Sequence, residues 1–494
     1  FMIFGPEQGQ SYTCTSGIPC EISNVRGRGI STWDAVAVVD GDECSPVPGA
    51  AGSVAVSPPG MPQNGITFAT VSFWSEQQQD VDGTYPPAAT SCFDGILPDT
   101  FVVSNFGCVP TTALAGTYSL CWCTTAFSDC SSHADYQFKI GELLMDGPVI
   151  GSAEEMNKEC LKGAPCDIVI MGINLKPTDK VAVFDDTCGD VDSLTLQGTA
   201  GIPELQYNAF VQGYTTGTKT IEAEAGYYRL CWCYFDAANG FPCEYFEDYR
   251  VHAGDIVVVA PGSDHTPRCL VNQPCAVTGI TGVGLRAGDS ARILIDCAWE
   301  GAAADLFIAN WPNIGTSEDS PDGTSFSWGS TPVTSTPGRY ALCWCSKISK
   351  DAGNCLLPTD WSFQMGEMLL AGPLENQRWS CVSGQVCGPL RVYGHGFLNG
   401  DLIRLEHDEC SASATSWPLN DGYSDPGVVT VDTNGAFQWG LNSIITEGRQ
   451  FFLCWFAIDR PDGATGVKAG TLDFVGPYDT GSSYTCTTGG HCSH

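Results

Sequence analysis

The chain has 494 residues, with 22 Lys and Arg against 56 Asp and Glu, a net charge of −34. That balance excludes binding to nucleic-acid phosphates, which needs the opposite sign. Apolar residues are 43% of the sequence, enough for several cores, yet no apolar run approaches the roughly 18 residues that span a bilayer. Twenty-six cysteines among 57 Gly and 30 Pro indicate an oxidising compartment.

In chain order, a short apolar run and a Gly-Pro or Ala-Pro step open five segments: Gly5-Pro6, Gly147-Pro148, Ala260-Pro261, Gly372-Pro373 and Gly476-Pro477. A cysteine pair with five residues between follows each step. In the first four segments comes a glycine-marked strand and turn: Val25–Ile30, Ile170–Leu175, Ile280–Leu285 and Val392–Phe397. An aspartate (Asp34, Asp179, Asp289, Asp401) then begins another strand. Each segment culminates in one motif: Gly116-Thr-Tyr-Ser-Leu-Cys-Trp-Cys123, Gly226-Tyr-Tyr-Arg-Leu-Cys-Trp-Cys233, Gly338-Arg-Tyr-Ala-Leu-Cys-Trp-Cys345 and the altered Gly448-Arg-Gln-Phe-Phe-Leu-Cys-Trp-Phe456. Cys121, Cys231, Cys343 and Cys454 recur at steps of 110, 112 and 111 residues, one small β-domain each. The motif alternates with period two. It predicts a strand with Tyr118, Leu120 and Trp122 facing the core and both cysteines facing away from it.

Short strands between turn signals, without helical periodicity, predict an all-β fold of tandem sandwiches. The expected domains are 1–146, with an insertion at about 45–108, then 147–260, 261–372 and 373–476, and a partial fifth repeat at 477–494. Stretches such as Phe138-Lys-Ile-Gly-Glu-Leu-Leu-Met-Asp-Gly-Pro148 run from one domain's last strand into the next domain's first. A strand passing straight through restricts its neighbours, so a stiff string is expected.

The pattern Val/Ile-X-Gly-X-Gly/Asn-hydrophobic, then Asp and an alternating strand, resembles the immunoglobulin-like domains shared by plexins and some transcription factors. The Gly-X-Tyr-X-Leu-Cys-Trp-Cys strand resembles repeats in large secreted or surface proteins of single-celled eukaryotes. This resemblance implies sandwiches and an extracellular setting, and no catalytic residues.

The imperfect copies suggest how the cysteines pair. The fourth domain has Phe456 for the second motif cysteine and also lacks a trailing cysteine, so Cys123 is expected to bond Cys130, Cys233 to bond Cys243 and Cys345 to bond Cys355. The fifth copy holds only Cys486 and Cys492, so the five-spaced pairs close on themselves: Cys14–Cys20, Cys160–Cys166, Cys269–Cys275 and Cys381–Cys387. Subtraction leaves Cys44–Cys121, Cys188–Cys231, Cys297–Cys343 and Cys410–Cys454, clamping strands on the outside of a sheet, with Cys92–Cys108 in the insertion. A core bond from Cys20 to Cys121, as in antibody domains, is the rival.

Asp40, Asp42, Asp185 and Asp186 have the look of calcium ligands, but the third and fourth domains keep few acids there, and solvated turn carboxylates are the better reading. The seven histidines recur at no repeat position, and no nucleophile–base arrangement appears, so neither catalysis nor a cofactor is expected. Trp299, Trp311, Trp328, Trp361, Trp379, Trp417 and Trp439 lie outside the motif; some are core, and exposed ones would be interface anchors or sugar platforms. There is no Asn-X-Ser/Thr sequon, while Ser- and Thr-rich loops leave O-glycans open. Ser483-Tyr-Thr-Cys-Thr-Thr-Gly-Gly-His-Cys492 closely matches Ser11-Tyr-Thr-Cys-Thr-Ser-Gly-Ile-Pro-Cys20. That echo predicts copies joining head to tail through Phe1, Phe4, Tyr484 and His494 into an extracellular filament or surface appendage. The alternative is an adhesion or receptor ectodomain whose first-domain insertion binds a ligand.

Overall fold

The computed structural model describes residues 5–28, 30, 34–45, 56–68, 103–126, 128–150, 157–190, 206–208, 213–215, 219–297, 307–351, 353, 355–356, 360–361, 363–407, 409–411, 427–461 and 463–477. The chain separates into two compact units, Phe1–Ala260 and Pro261–His494. Each unit holds two sandwiches.

In the first unit, β1 (Gly5–Pro6), β2 (Gln10–Thr15), β3 (Pro19–Ser23), β4 (Gly27–Arg28), β5 (Ala35–Val39), β6 (Ile66–Phe68), β7 (Val103–Pro110), β8 (Gly116–Cys123) and β9 (Phe138–Pro148) make the first sandwich. One sheet runs β2-β9-β8-β5-β6 and the other pairs β3 with β7. The second sandwich follows with β10 (Asn157–Leu161), β11 (Asp167–Ile168), β12 (Gly172–Ile173), β13 (Lys180–Phe184), β14 (Gln206–Asn208), β15 (Gly213–Thr215), β16 (Gly226–Cys233) and β17 (Val251–Pro261). Its sheets run β10-β17-β16-β13 and β11-β15-β14.

The second unit repeats the plan. The third sandwich has β18 (Arg268–Leu270), β19 (Ala276–Val277), β20 (Gly282–Val283), β21 (Ser290–Leu294), β22 (Phe326–Ser327), β23 (Gly338–Cys345) and β24 (Phe363–Pro373). The fourth has β25 (Gln377–Val382), β26 (Leu390–Arg391), β27 (Gly394–His395), β28 (Leu402–Glu406), β29 (Val428–Thr430), β30 (Ala436–Phe437), β31 (Gln450–Phe456) and β32 (Val467–Val475). Their larger sheets run β18-β24-β23-β21 and β25-β32-β31-β28-β29. Each larger sheet mixes one parallel pair, such as β2 with β9, into an otherwise antiparallel ladder. In three sandwiches the motif tyrosine turns back on its own backbone: Tyr118 and Tyr228 donate to the Leu114 and Glu224 carbonyls at 2.7 Å each, and Tyr340 to Thr336. With the paired sheets, this corner marks the immunoglobulin-like sandwich. The chain is all-β, built of such sandwiches in tandem.

The core of the first sandwich gathers Ile22, Val36, Val38, Phe106, Leu120, Ile140, Leu143 and Met145, with Tyr118 and Trp122 packed against it. The opposite face of β8 is not open to solvent, and the expectation of an outward cysteine face is corrected here. Cys121 and Cys123 are buried in a second cluster with Ala35, Ala37, Val39, Cys130 and Tyr136. The loop after β8 is pulled back across the sheet by its own disulfide, and Tyr136 closes it by donating to the Cys130 carbonyl at 2.9 Å. Tyr249 does the same over Cys243 at 3.2 Å, and Trp361 takes that place in the third sandwich. The central strands thus lie between two apolar layers.

The insertion also narrows. Pro62–Gly65, with Gln63 and Asn64 left-handed, is matched by Pro312–Gly315, with Asn313 and Ile314 left-handed. β7 pairs β3 as β22 pairs β19. Residues 61–68 and 103–110 are therefore sandwich elements common to both, and the extra length falls in 69–102, among residues not described.

All four last strands carry a bulge at one position, at Ile140, Ala253, Met365 and Ala469, followed by glycine. In the first and fourth sandwiches the parallel strand starts across that glycine, and in the third His265 bridges to it. A Cβ on Gly141 would sit 1.8 Å from the Gln10 carbonyl oxygen, on Gly366 1.9 Å from that of His265 and on Gly470 2.0 Å from that of Gln377. Gly141→Ala is expected to push β2 off β9 and to cost about 3 kcal/mol by overpacking. Thermal unfolding with hydrogen exchange at Gln10–Thr15 measures it, and wild-type protection there would refute the assignment.

Candidate functional site

The features that repeat with chemistry attached are the joints within each unit, the disulfides and a buried aspartate. At the first joint one strand serves two sandwiches. β9 ends the first sheet, and its last two residues, Gly147 and Pro148, pair antiparallel with Ile173 and Gly172 of the second sandwich. Ala115 N–H donates to the Pro148 carbonyl at 3.1 Å and Val149 N–H to that of Met171 at 2.8 Å. Asn174 Nδ2 donates to Asp146 Oδ1 at 2.8 Å. Glycine is required because φ is +140° at Gly147 and a Cβ would meet Ser16 Cβ at 3.0 Å and the Trp232 ring at 3.6 Å. The motif tryptophan of the incoming sandwich thus packs over the joint.

The second unit repeats this. Gly372 and Pro373 pair with His395 and Gly394, and Leu374 N–H donates to the Tyr393 carbonyl at 2.9 Å. Arg268 of the third sandwich forms an ion pair with Asp459 of the fourth and donates to the Gly396 carbonyl at 3.0 Å. Arg268→Ala is expected to lower stability by about 1 to 2 kcal/mol, the worth of hydrogen bonds from a charged donor. Urea unfolding with and without 1 M salt tests this, since salt would screen a merely superficial pair and erase the difference.

Among the described residues eleven disulfides are formed. Cys14–Cys20, Cys160–Cys166, Cys269–Cys275 and Cys381–Cys387 close short loops. Cys123–Cys130, Cys233–Cys243 and Cys345–Cys355 tie the loop after the motif strand. Cys44–Cys121, Cys188–Cys231, Cys297–Cys343 and Cys410–Cys454 span 77, 43, 46 and 44 residues. Cys20 bonds Cys14, so the antibody-type bond to Cys121 is absent. The Cys92–Cys108 and Cys486–Cys492 expectations lie outside the described residues, as do Phe1, Phe4, Tyr484 and His494.

Where the fourth sandwich lacks the motif's second disulfide, Phe456 is flanked by two guanidiniums, Arg404 at 4.1 Å and Arg460 at 5.0 Å from the ring centroid. Arg404 also pairs with Glu406, which is 2% exposed, and donates to the Ser411 carbonyl at 2.7 Å. Burial raises the Glu406 carboxyl above its ordinary value, against the pull of Arg404.

The repeated aspartate has a role that its position in the sequence did not disclose. Asp34, Asp179, Asp289 and Asp401 are all buried. Asp289 accepts from Arg286 N–H at 3.1 Å and Lys347 N–H at 2.8 Å, and Asp179 from Lys176 N–H at 2.8 Å and Phe235 N–H at 3.2 Å. Asp179 and Asp289 each clip their own turn to the segment just beyond the motif cysteine, and Asp401 does so beyond its substitute Phe456. Burial raises the Asp179 carboxyl, partly offset by those two backbone donors. The signal was its fixed place in the repeat, directly before the strand that pairs with the motif.

Asp40 and Asp42 are exposed in the first sandwich, and Asp185 and Asp186 are exposed in the second. The Asp42 carbonyl takes Lys139 Nζ at 2.8 Å. Among the described residues no group of three or more His, Cys, Asp or Glu is placed to hold a metal ion. Of the tryptophans outside the motif, Trp311, Trp328, Trp361 and Trp439 are core residues, and Trp379 is half-buried. Trp299 and Trp417 lie outside the described residues. A surface hollow in the fourth sandwich is lined by Asn399, Thr430, Asp432 and Phe437. Its one carboxylate, Asp432, already accepts from Asn434 and Ala436 N–H at 2.8 and 2.9 Å. Among the described residues no helix is long and apolar enough to cross a membrane.

These features define a class: disulfide-stapled tandem immunoglobulin-like sandwiches. No family model and no curated protein matches the chain. Among solved structures, it is similar to the N-terminal eight immunoglobulin domains of Down Syndrome Cell Adhesion Molecule, at 10% identity and a TM-score of 0.16, covering 96% of this chain and 48% of that one. The chain thus spans about half the length of that structure. It is also similar to the insect immune protein hemolin (10%, 0.16, covering 96% and 98%) and to domains A168–A170 of titin (11%, 0.18, covering 70% and 93%). Likeness this slight carries no weight beside the strand pairing itself.

Proposed function

We propose that this is an extracellular or cell-surface ectodomain of the adhesion or receptor type, which works by presenting immunoglobulin-like surfaces to protein or glycan partners. The observation that carries this reading is the joint: two sandwiches share one hydrogen-bonded strand, which suits holding binding faces at fixed spacing. The disulfides suit an oxidising exterior, and the first sandwich carries extra length at 69–102 for a partner to meet. Beads coated with the purified protein test the reading. Adhesion to cells or to one another, reduced when 69–102 is deleted, supports it, and beads that bind neither would overturn it.

A second reading, a subunit of an extracellular filament that joins copies head to tail, is favoured by the sequence match between Ser483–Cys492 and Ser11–Cys20. Electron microscopy of native material separates the two: long uniform fibres favour the filament, dispersed particles the receptor.

A further inference from the structure

We propose that the hollow in the fourth sandwich takes a lysine side chain from a protein partner, its ammonium seated between the Val431 carbonyl and Asp432. The proposal rests on the adhesion reading and deepens it by naming the chemistry that one face recognises.

The third sandwich shows what the corresponding place holds when the chain fills it itself. There Gly288 precedes the buried Asp289 as Gly400 precedes the buried Asp401. Ser320 N–H donates to the Asp289 carbonyl at 2.8 Å, as Val431 N–H does to that of Asp401 at 2.9 Å. Asp319 therefore corresponds to Thr430. Lys350 crosses these elements: its Nζ donates to the Gly288 carbonyl and to Ser290 Oγ at 2.9 Å each, and it pairs with Asp319. An ammonium is what this chain itself places between such a turn and such a strand.

The fourth sandwich keeps the frame without that lysine. Lys347 N–H and Ile458 N–H bond their buried aspartates alike, at 2.8 and 2.9 Å. Three residues on, Pro461 stands where Lys350 does. A second rung is missing too. Gly288 N–H donates to the Ser320 carbonyl at 2.8 Å, while among the described residues no bond joins Gly400 to Val431. Turn and strand are less tightly zipped, and a hollow of about 480 Å³ lies between Gly400, Thr430, Val431, Asp432, Phe437 and Pro389. That volume is in the range of small-ligand sites.

Its chemistry selects a cation. Asp432 turns Oδ1 to its own loop, accepting from Ala436 and Asn434 N–H. Its Oδ2 takes no hydrogen bond or ion pair among the described residues. The two N–H donors hold the carboxyl below its ordinary value, so it is ionised at neutral pH. Arg391, the cation that acts on Asp432, donates to the Asn434 carbonyl and stacks on the Tyr393 ring. Pro389 and Phe437 offer apolar walls to a lysine's methylene stem while its charged head reaches the acceptors. A chain of net charge −34 also draws a basic surface toward it, and repels an anionic one.

The test uses the 494-residue protein and the peptide acetyl-Gly-Gly-Lys-Gly-Gly-amide, read by saturation-transfer NMR. The Nε-acetylated peptide and methyl galactoside are the comparison probes. Asp432→Asn keeps an oxygen for both turn bonds and puts NH2 in place of Oδ2, and Glu375→Gln removes one exposed charge elsewhere on the same sandwich. The lysine peptide is expected to bind, at least tenfold more weakly to Asp432→Asn and within twofold of wild type to Glu375→Gln. Carbodiimide coupling needs no variant: mass spectrometry should find the peptide's lysine joined to Asp432. Equal binding of the acetylated peptide, equal losses in the two variants, or coupling to other carboxylates without Asp432 would overturn the lysine site. So would methyl galactoside binding in the peptide's place. Coated beads that adhere in any of those cases leave the adhesion reading standing. Beads that bind nothing, while the peptide couples to Asp432, overturn the adhesion reading and leave the ammonium site.

Discussion

Replacing Cys410 and Cys454 together by alanine is expected to destabilise the fourth sandwich by about 4 kcal/mol, against about 2 kcal/mol for Cys381 and Cys387. In the chain-entropy model the difference follows from loop length, because the two bonds close 44 and 6 residues. The fourth sandwich is where the loss tells most. The others have a bond such as Cys345–Cys355 beside the long one, whereas here Phe456 stands between Arg404 and Arg460 and ties no loop covalently. Cys454 is fully buried on the inner strand, so alanine also leaves a void where sulfur packed. Domains of this size hold only about 5 to 15 kcal/mol in total. Urea unfolding followed by hydrogen exchange at Gln450–Phe456 should show the fourth sandwich opening first. Equal losses for the two pairs would show that loop closure is not what stabilises it.

Much of the architecture was legible because one strand repeats with small errors. The period in Cys121, Cys231, Cys343 and Cys454 marks the sandwiches, and the absence of a Gly/Ser tether around Gly147-Pro148 marks the shared strand. The substitution of Phe456, coupled to a missing trailing cysteine, points to the partner of Cys123. Alternation in Thr117–Cys123 misled on one point. Period two says that two faces differ, not that one is wet, and a disulfide-held loop ending in Tyr136 covers the second face. Which tryptophans belong to the core was not legible for a related reason: Trp311 and Trp328 pack edge to face at 6.0 Å, with Trp328 Nε1 donating to the Gly315 carbonyl at 2.6 Å. That contact depends on a left-handed turn at Asn313 and Ile314 which no local pattern announces. The insertion was overdrawn because the matching turn at Gln63 and Asn64 sits in a stretch poor in regular strands. The aspartate was noticed and left without a role, since one of its partners lies more than fifty residues away: Asp179 holds Phe235, and Asp401 holds Trp455 and Ile458.

Asp401→Ala is expected to cost about 4 kcal/mol, more than any other single polar substitution in the fourth sandwich. Its Oδ2 accepts from Leu398 N–H and from Trp455 Nε1–H, both at 3.0 Å, and Oδ1 accepts from Ile458 N–H at 2.9 Å. The residue is 0% exposed and Trp455 1%, so donors that lose the carboxylate have little access to water. Each buried donor left unpaired costs about 1 to 3 kcal/mol, and bonds to a charged acceptor lie at the upper end. The three losses share one site and do not add fully. Asp401→Asn discriminates further. The amide offers one oxygen and one NH2, so at least one N–H must face another donor, and its stability should fall between wild type and alanine. The indole reports the event directly, through a change in Trp455 environment that accompanies early unfolding of Leu402–Glu406 and Gln450–Phe456. Were the carboxylate instead there for charge, as a cation ligand, Asn and Ala would be equally harmful and added calcium would raise the melting point of the wild type. An Asn variant midway between the two, with no response to calcium, is the result that identifies the aspartate as the clip joining the turn at Leu398 to the far end of the motif strand.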